Sequence, residues 1–273
     1  MKRSFHQFQC EGEQLIGTLD NGIHNTGLLI VSGGNEIRSG AHSGMSKLAH
    51  SVSHRDFPVF RFDRRGIGES SGTNHEFLSS ERDIKAAAEQ FRAACPNLHK
   101  IVAFGNCDAA TALALFSPSI EIQALILANP WVIENKSPEP SEPNSPGAAA
   151  IRSRYWNRIK NPQSYFDLLT GKIDLSKLFK GLIKASKKTE NSNLAINLCN
   201  ALAKSKGPID ILLANKDTTA LAFLAAWKSN DFATLRKQSN IMLSELDSAS
   251  HSFADEKSKK WLEERVLESL HSA

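Results

Sequence analysis

The sequence is poor in cysteine, has no long apolar run and carries little net charge. Its four cysteines, Cys10, Cys95, Cys107 and Cys199, are sparse in 273 residues and form no C-x-x-C pair. This argues against a disulfide-stapled scaffold and against a cysteine-based zinc or redox site. No stretch approaches the ~18 consecutive apolar residues of a membrane span. Lys2 and Arg3 are followed by Ser4, Phe5 and His6 rather than by an apolar run, so the start does not read as a secretory signal. A formal charge of +4 is too mild to imply nucleic acid. The expectation is a reduced, cytoplasmic chain with no metal, no cofactor, no membrane span and no nucleic-acid partner; its oligomeric state is left open.

The chain does have enough apolar residues for a sizeable core. Hydrophobic types make up 41% and there are 16 glycines, which together fall in the ordinary globular range of ~45–50%. The first half alternates short apolar runs with segments of helical spacing. Phe5–Cys10 and Gln14–Leu19 read as a hairpin around Glu11-Gly12-Glu13. Gly27–Val31, Phe57–Phe62, Lys100–Phe104 and Ile122–Ala128 read as buried strands. Ser43–Ser53, Ser79–Ala94 and Cys107–Phe116 read as the helices between them. Near-continuous apolar strands separated by helices predict a mostly parallel sheet covered on both faces.

The rhythm breaks at Asn129-Pro130. Residues 137–146 hold four of the ten prolines and read as a linker. The chain then looks helical to about Lys206. Strand patterns resume at Ile209–Ala214 and Asn240–Leu243, and an amphipathic helix of about Ala254–Leu270 closes the chain. The expected organisation is an α/β core over 1–132 and 208–273, interrupted by a helical cap over 133–207. There is no internal repeat.

The sharpest local pattern is Ile101-Val102-Ala103-Phe104-Gly105-Asn106-Cys107-Asp108-Ala109-Ala110. A buried strand runs directly into a helix, with small residues two positions either side of Cys107. That is the spacing of the nucleophile elbow, G-x-S-x-G, with Cys in place of Ser and Ala in place of the second Gly. A thiol at a helix N-terminus is expected to favour its thiolate form, although a free cysteine there can equally be a small buried hydrophobe.

An elbow needs an acid and then a histidine downstream. Only His251 and His271 follow Cys107, and His271 lies at the chain end. His251 sits between the last strand pattern and the last helix. Asp217 follows the preceding strand and is the first choice for the acid, though it can also be read as a helix N-cap. Asp247 is the runner-up and Asp210 is less well placed. Oxyanion donors would be the backbone N–H groups of Asp108 and of Gly34, in the loop Gly33-Gly34-Asn35. Gly66-Ile67-Gly68 has the wrong spacing for a dinucleotide loop. With its preceding residues it forms Asp63-Arg64-Arg65-Gly66-Ile67-Gly68-Glu69-Ser70, a loop familiar from α/β-hydrolases.

The whole chain resembles an α/β-hydrolase with a cap inserted after its sixth strand. Four segments resemble the exosortase A system-associated hydrolase 1 family: Ser32-Gly33-Gly34, Phe60–Ser70, Gly105–Ala110 and Ser250-His251-Ser252-Phe253. The resemblance implies a Cys107-His251-Asp217 triad and a setting in bacteria with exosortase and exopolysaccharide systems. The sequence departs from the family at Ser250, where an Asp often precedes the His, and in its Pro-rich, Lys-rich insert.

The expected chemistry is acyl transfer or hydrolysis on a small ester, thioester or lactone. The alternative is a catalytically weakened hydrolase fold serving as a binding or accessory protein. From Glu134 to Gly207 there are thirteen Lys/Arg against six Asp/Glu, a net of +7, leaving −3 for the remainder. Lys177, Lys180 and Lys184 flank an apolar helical stripe at Leu175, Leu178, Phe179, Leu182 and Ile183. These lysines could be a solvated surface, or they could attract an acyl-CoA, an acyl-carrier protein or an anionic membrane surface.

Overall fold

The computed structural model describes residues 2–134 and 191–273. The chain divides into two compact units, Met1–Val132 with Leu194–Ala273, and Ile133–Asn193. In the second unit the Asn193 N–H donates to the Glu134 carboxylate at 3.1 Å. Lys177, Lys180 and Lys184 lie outside the described residues.

The first unit is built on an eight-stranded sheet. Its strands are β1 (Arg3–Cys10), β2 (Glu13–Asp20), β3 (Thr26–Val31), β4 (Val59–Phe62), β5 (Lys100–Asn106), β6 (Ala124–Ala128), β7 (Ile209–Ala214) and β8 (Ile241–Leu246). Their order across the sheet is β1-β2-β4-β3-β5-β6-β7-β8. The pairs β1–β2 and β2–β4 are antiparallel, and every later pair is parallel. The hairpin turn is one residue tighter than the sequence pattern suggested. Cys10 pairs with Glu13, and Glu11 (φ 52°) and Gly12 (φ 85°) both take the left-handed backbone of a two-residue turn that matches strand twist.

Six α-helices lie among the described residues: α1 (Gly44–Ser53), α2 (Glu81–Ala94), α3 (Asp108–Phe116), α4 (Asn193–Lys204), α5 (Thr218–Trp227) and α6 (Glu256–Ser272). The chain steps from β3 to β4 in one direction. It then crosses back past β3 to β5 and continues that way to β8. Right-handed crossovers therefore place α1 on one face and the crossover helices α2, α3, α4 and α5 on the other, while α6, which follows the last strand, packs beside α1. The packing agrees. Leu28 and Ile30 of β3 meet Met45, Leu48 and Val52 of α1 with Leu262 and Val266 of α6. Leu29 and Val31, pointing the other way, share a core with Ile84, Ala87 and Phe91 of α2 and Leu198 of α4. All six residues of β3 are buried, and each large apolar side chain so placed is worth roughly 1.5–3 kcal/mol.

The first unit resumes at Leu194, not near residue 208. Leu194, Ala195, Leu198, Cys199 and Leu202 of α4 are buried in the sheet's own core. Of the stretch expected to be helical up to about Lys206, the described part, α4, belongs with the sheet; the linker at 137–146 and the rest of the expected cap to residue 190 lie outside the described residues. The direction reverses at β3, so the carboxyl ends of β3 and β5 form the topological switch point at which ligands of open α/β sheets bind.

Candidate active site

The carboxyl end of β5 runs straight into α3 through a single residue, Cys107. Its backbone takes φ 62° and ψ −125°, a region that L side chains rarely occupy. The hydrogen bonds around the turn hold it there. The Cys107 N–H donates to the Ala128 carbonyl at 2.9 Å, and its own carbonyl accepts from Trp131 N–H at 3.2 Å. The Thr111 hydroxyl ties the Trp131 carbonyl at 2.7 Å. The turn is so tight that a Cβ at Gly105 would stand 2.8 Å from the Ala109 backbone and 2.9 Å from the Ala110 nitrogen. The small residues at 105 and 109 follow from this geometry.

His251 and Asp217 come to the same place from two other loops. The Asp217 carboxylate is the N-cap of α5, accepting from Thr219 N–H at 3.0 Å and Ala220 N–H at 3.1 Å. The same oxygen, Oδ2, lies 3.0 Å from His251 Nδ1. The cap and the histidine partner are therefore one carboxylate, held by two backbone donors while it orients the ring. The His251 side chain is in turn hydrogen-bonded to Cys107. All three residues are buried.

The other acids lie elsewhere. Asp247 pairs with Lys216 at 2.7 Å on the exposed surface, and that pairing lowers its pKa. Asp210 accepts from Ser269. His271 is exposed at the end of α6 and bonds the Leu267 carbonyl at 2.6 Å.

Burial is the largest influence on the Cys107 thiol and pushes it up, against the charge and hydrogen bond of His251. Desolvation disfavours the charged thiolate, and the neighbouring imidazole favours it. For His251, burial acts downward. The charge of Cys107 and then the hydrogen bond and charge of Asp217 outweigh it, and the imidazole sits well above its ordinary range. Burial alone favours the neutral thiol and the neutral imidazole, and the attraction between the two side chains opposes it.

The two backbone groups expected to serve as oxyanion donors are differently placed. The Asp108 N–H is directed at the Cys107 sulfur. The Gly34 N–H (φ 54°) donates to the Asp108 carboxylate at 2.7 Å, so that donor is engaged in this state. Gly33 is held equally close, since a Cβ there would stand 2.6 Å from the Asn106 carbonyl.

Two residues beyond those picked from the sequence complete the framework. Asn129 is fully buried, with φ 42°. Its Nδ2 reaches the His251 carbonyl at 3.1 Å and Asn106 Oδ1 at 3.2 Å. Its Oδ1 accepts from Ala214 N–H at 2.9 Å, and Asn106 Nδ2 also reaches the His251 carbonyl at 3.1 Å. The ends of β5, β6 and β7 are thereby tied to the histidine loop. The available signal was an asparagine closing an apolar strand directly before Pro130. From below, Phe253 (φ 51°) is buried and stacks on Trp261, with ring centroids 6.0 Å apart, which anchors the same loop to α6. Among the described residues no group of three or more His, Cys, Asp or Glu is arranged to hold a metal ion, and no helix is long and apolar enough to cross a membrane.

A mostly parallel eight-stranded sheet, helices on both faces and a strained residue between β5 and α3 define an α/β-hydrolase. The chain belongs to the serine aminopeptidase S33 family, which it matches over residues 25–205. No curated protein matches the sequence. Among solved structures it is similar to the esterase Pf2001 of Pyrococcus furiosus, at 17% identity and a TM-score of 0.65, covering 99% of this chain and 92% of that one. It is also similar to Est1E of Butyrivibrio proteoclasticus, solved with ferulic acid bound, at 15% identity and a TM-score of 0.60, covering 97% and 99%. A third is the α/β-hydrolase GrgF of Penicillium sp. sh18, at 16% identity and a TM-score of 0.62, covering 99% and 98%. At these identities the likeness is one of fold. The family is named for a serine enzyme, and in this chain the elbow position carries a thiol.

Proposed function

We propose that this α/β-hydrolase cleaves a small ester, thioester or lactone through a covalent acyl-enzyme on Cys107. The observation that carries this is the hydrogen-bonded series Cys107–His251–Asp217, drawn from three separate loops. Cys107 Sγ attacks the carbonyl carbon as His251 Nε2 takes the thiol proton. The oxyanion that forms is held by the Asp108 N–H and by the Gly34 loop, with the Asp108 carboxylate leaving Gly34 as charge develops on the carbonyl oxygen. The bond to the leaving group breaks, and His251 returns its proton to the departing atom. Water then attacks the acyl–sulfur bond as His251 takes its proton, releasing the acid and restoring the thiol. Asp217 keeps the proton on Nδ1 and stabilises the imidazolium at each step. A thiolate leaves the tetrahedral intermediate more readily than an amine, so amide hydrolysis is the least favoured version.

The resemblance to the exosortase-associated hydrolases supports the cysteine and suggests a bacterial setting of that kind. The net charge of +7 over 134–207 supports an anionic substrate such as an acyl-CoA or an acyl-carrier protein. One observation favours a second reading, that of a weakened fold used for binding: the Asp108 carboxylate occupies the Gly34 N–H. A panel of aryl esters and acyl thioesters separates the two. Wild type should turn over at least one class, Cys107→Ser should keep a residual rate and Cys107→Ala should keep none. Turnover unchanged in Cys107→Ala would remove the cysteine from the mechanism.

A further inference from the structure

We infer that Arg64 binds a carboxylate carried by the substrate, so that the preferred substrates bear a negative charge a short carbon chain away from the reacting carbonyl. This rests on the reading of Cys107 as nucleophile and extends it to the substrate's chemical class.

Among the described residues, Arg64 is the arginine of its loop left without an acid. Arg38 pairs with Asp63 and Glu69, Arg65 with Glu11 and Asp83, and Arg61 with Asp20 at 3.5 Å. Arg64 is only 4% exposed and, among the described residues, forms no ion pair with a carboxylate. Its Nη2 donates to the Gly34 carbonyl, and its buried Nε has no hydrogen-bond partner. An unpaired buried guanidinium is costly, and a planar fork with open donors matches a carboxylate in geometry and charge.

The sheet register puts this group beside the elbow. Val31 of β3 lies level with Phe62 of β4 on one side and Gly105 of β5 on the other. Two residues further on, Gly33, Arg64 and Cys107 emerge at the same height from three adjacent strands. Two strand spacings separate the Arg64 and Cys107 backbones by about 10 Å. That distance is spanned by an arginine side chain and a short acyl or alcohol chain. The N-terminus of α3, which begins at Asp108, adds a second favourable field for an anion. The nearby acid, Asp108, is bonded to the other side of Gly34 and does not pair with Arg64. The phosphates of an acyl-CoA lie much further from its thioester and are not what a guanidinium at this depth would meet.

The test compares charged and neutral esters. On the acyl side, para-nitrophenyl hydrogen glutarate is set against para-nitrophenyl pentanoate. On the leaving side, para-carboxyphenyl acetate is set against phenyl acetate. In one pair wild type should favour the charged ester in kcat/KM by at least about tenfold, and Arg64→Met should remove that preference. The responding pair identifies the side that carries the carboxylate. A role confined to holding Gly34 would lower both members alike, and an unchanged charged-to-neutral ratio overturns the inference. If Arg64→Met does not fold, wild type decides: no preference in either pair and no competitive inhibition by free glutarate would overturn it. If wild type turns over none of the four esters, the acyl-enzyme reading fails. Binding of monomethyl glutarate to Cys107→Ala, measured by calorimetry and lost on adding Arg64→Met, would still uphold the site.

Discussion

The Cys107 thiol is buried and its pKa is raised; the other three cysteines are raised too, with Cys10 and Cys199 buried, Cys95 half-buried, and Cys10 pushed up to about 11 by burial and by Asp83. What distinguishes Cys107 is its hydrogen bond to His251. Its reactivity should therefore depend on the imidazole. Iodoacetamide should modify Cys107 faster than Cys10, Cys95 or Cys199 in wild type, and that advantage should vanish in His251→Ala; peptide mapping of the four sites checks this. Asp217 raises His251 through a hydrogen bond and a charge. In Asp217→Asn that support is gone and the imidazole pKa falls. His251 then loses its proton at lower pH, so the acid limb of kcat/KM should shift to lower pH. The maximum should fall by about 10³–10⁴-fold as the ring's tautomer and orientation are lost. A pH–rate profile of the two proteins tests both parts together.

At the scale of elements, the β5–α3 turn and the histidine loop carry the site. Gly105→Ala would push a Cβ into the Ala109 backbone, which cannot move without shifting α3. It should cost about 1–3 kcal/mol, read as a lowered urea midpoint. Asn129→Ala would strip donors from the His251 carbonyl and leave the Ala214 N–H unpaired. A loss of roughly 1–3 kcal/mol is expected, with kcat falling more than KM rises because the residue positions the base. The strand-to-helix turn was legible because a buried apolar run meets small residues at fixed spacing. The role of Asn129 was not, because it depends on which strand ends become neighbours. The helix α5 was legible only as a cap at Asp217. Its segment, Thr218–Trp227, is apolar on most sides and six of its ten residues are buried, so it shows no one-sided stripe. The burial that pushes the thiol up was not legible for a related reason: a sequence shows the helix N-terminus, but not how deeply the residue after the strand is enclosed.

Across the whole molecule, the alternation of apolar runs and helical segments was enough to give a parallel sheet with an insert, because strands buried on both faces leave little else for such runs to do. The boundary after the insert was harder to place. The residues of α4 have the amphipathic pattern of any surface helix, and only the packing of Leu198 and Leu202 assigns it to the sheet. Charge is unevenly divided, with +7 over 134–207 and −3 elsewhere. If the basic excess draws in an anionic acyl thioester, its kcat/KM should fall steeply with added salt while that of a neutral aryl ester changes little. Equal salt sensitivity for both would leave the basic excess without a part in substrate capture. The central claim is that the acyl group is carried on Cys107. Acid-quenching the enzyme during turnover of an activated ester and mapping the modified peptide by mass spectrometry tests it most directly. The acyl mass should appear on the peptide containing Cys107 and be absent in Cys107→Ala; an acyl group on a serine, or no covalent adduct during active turnover, would contradict it.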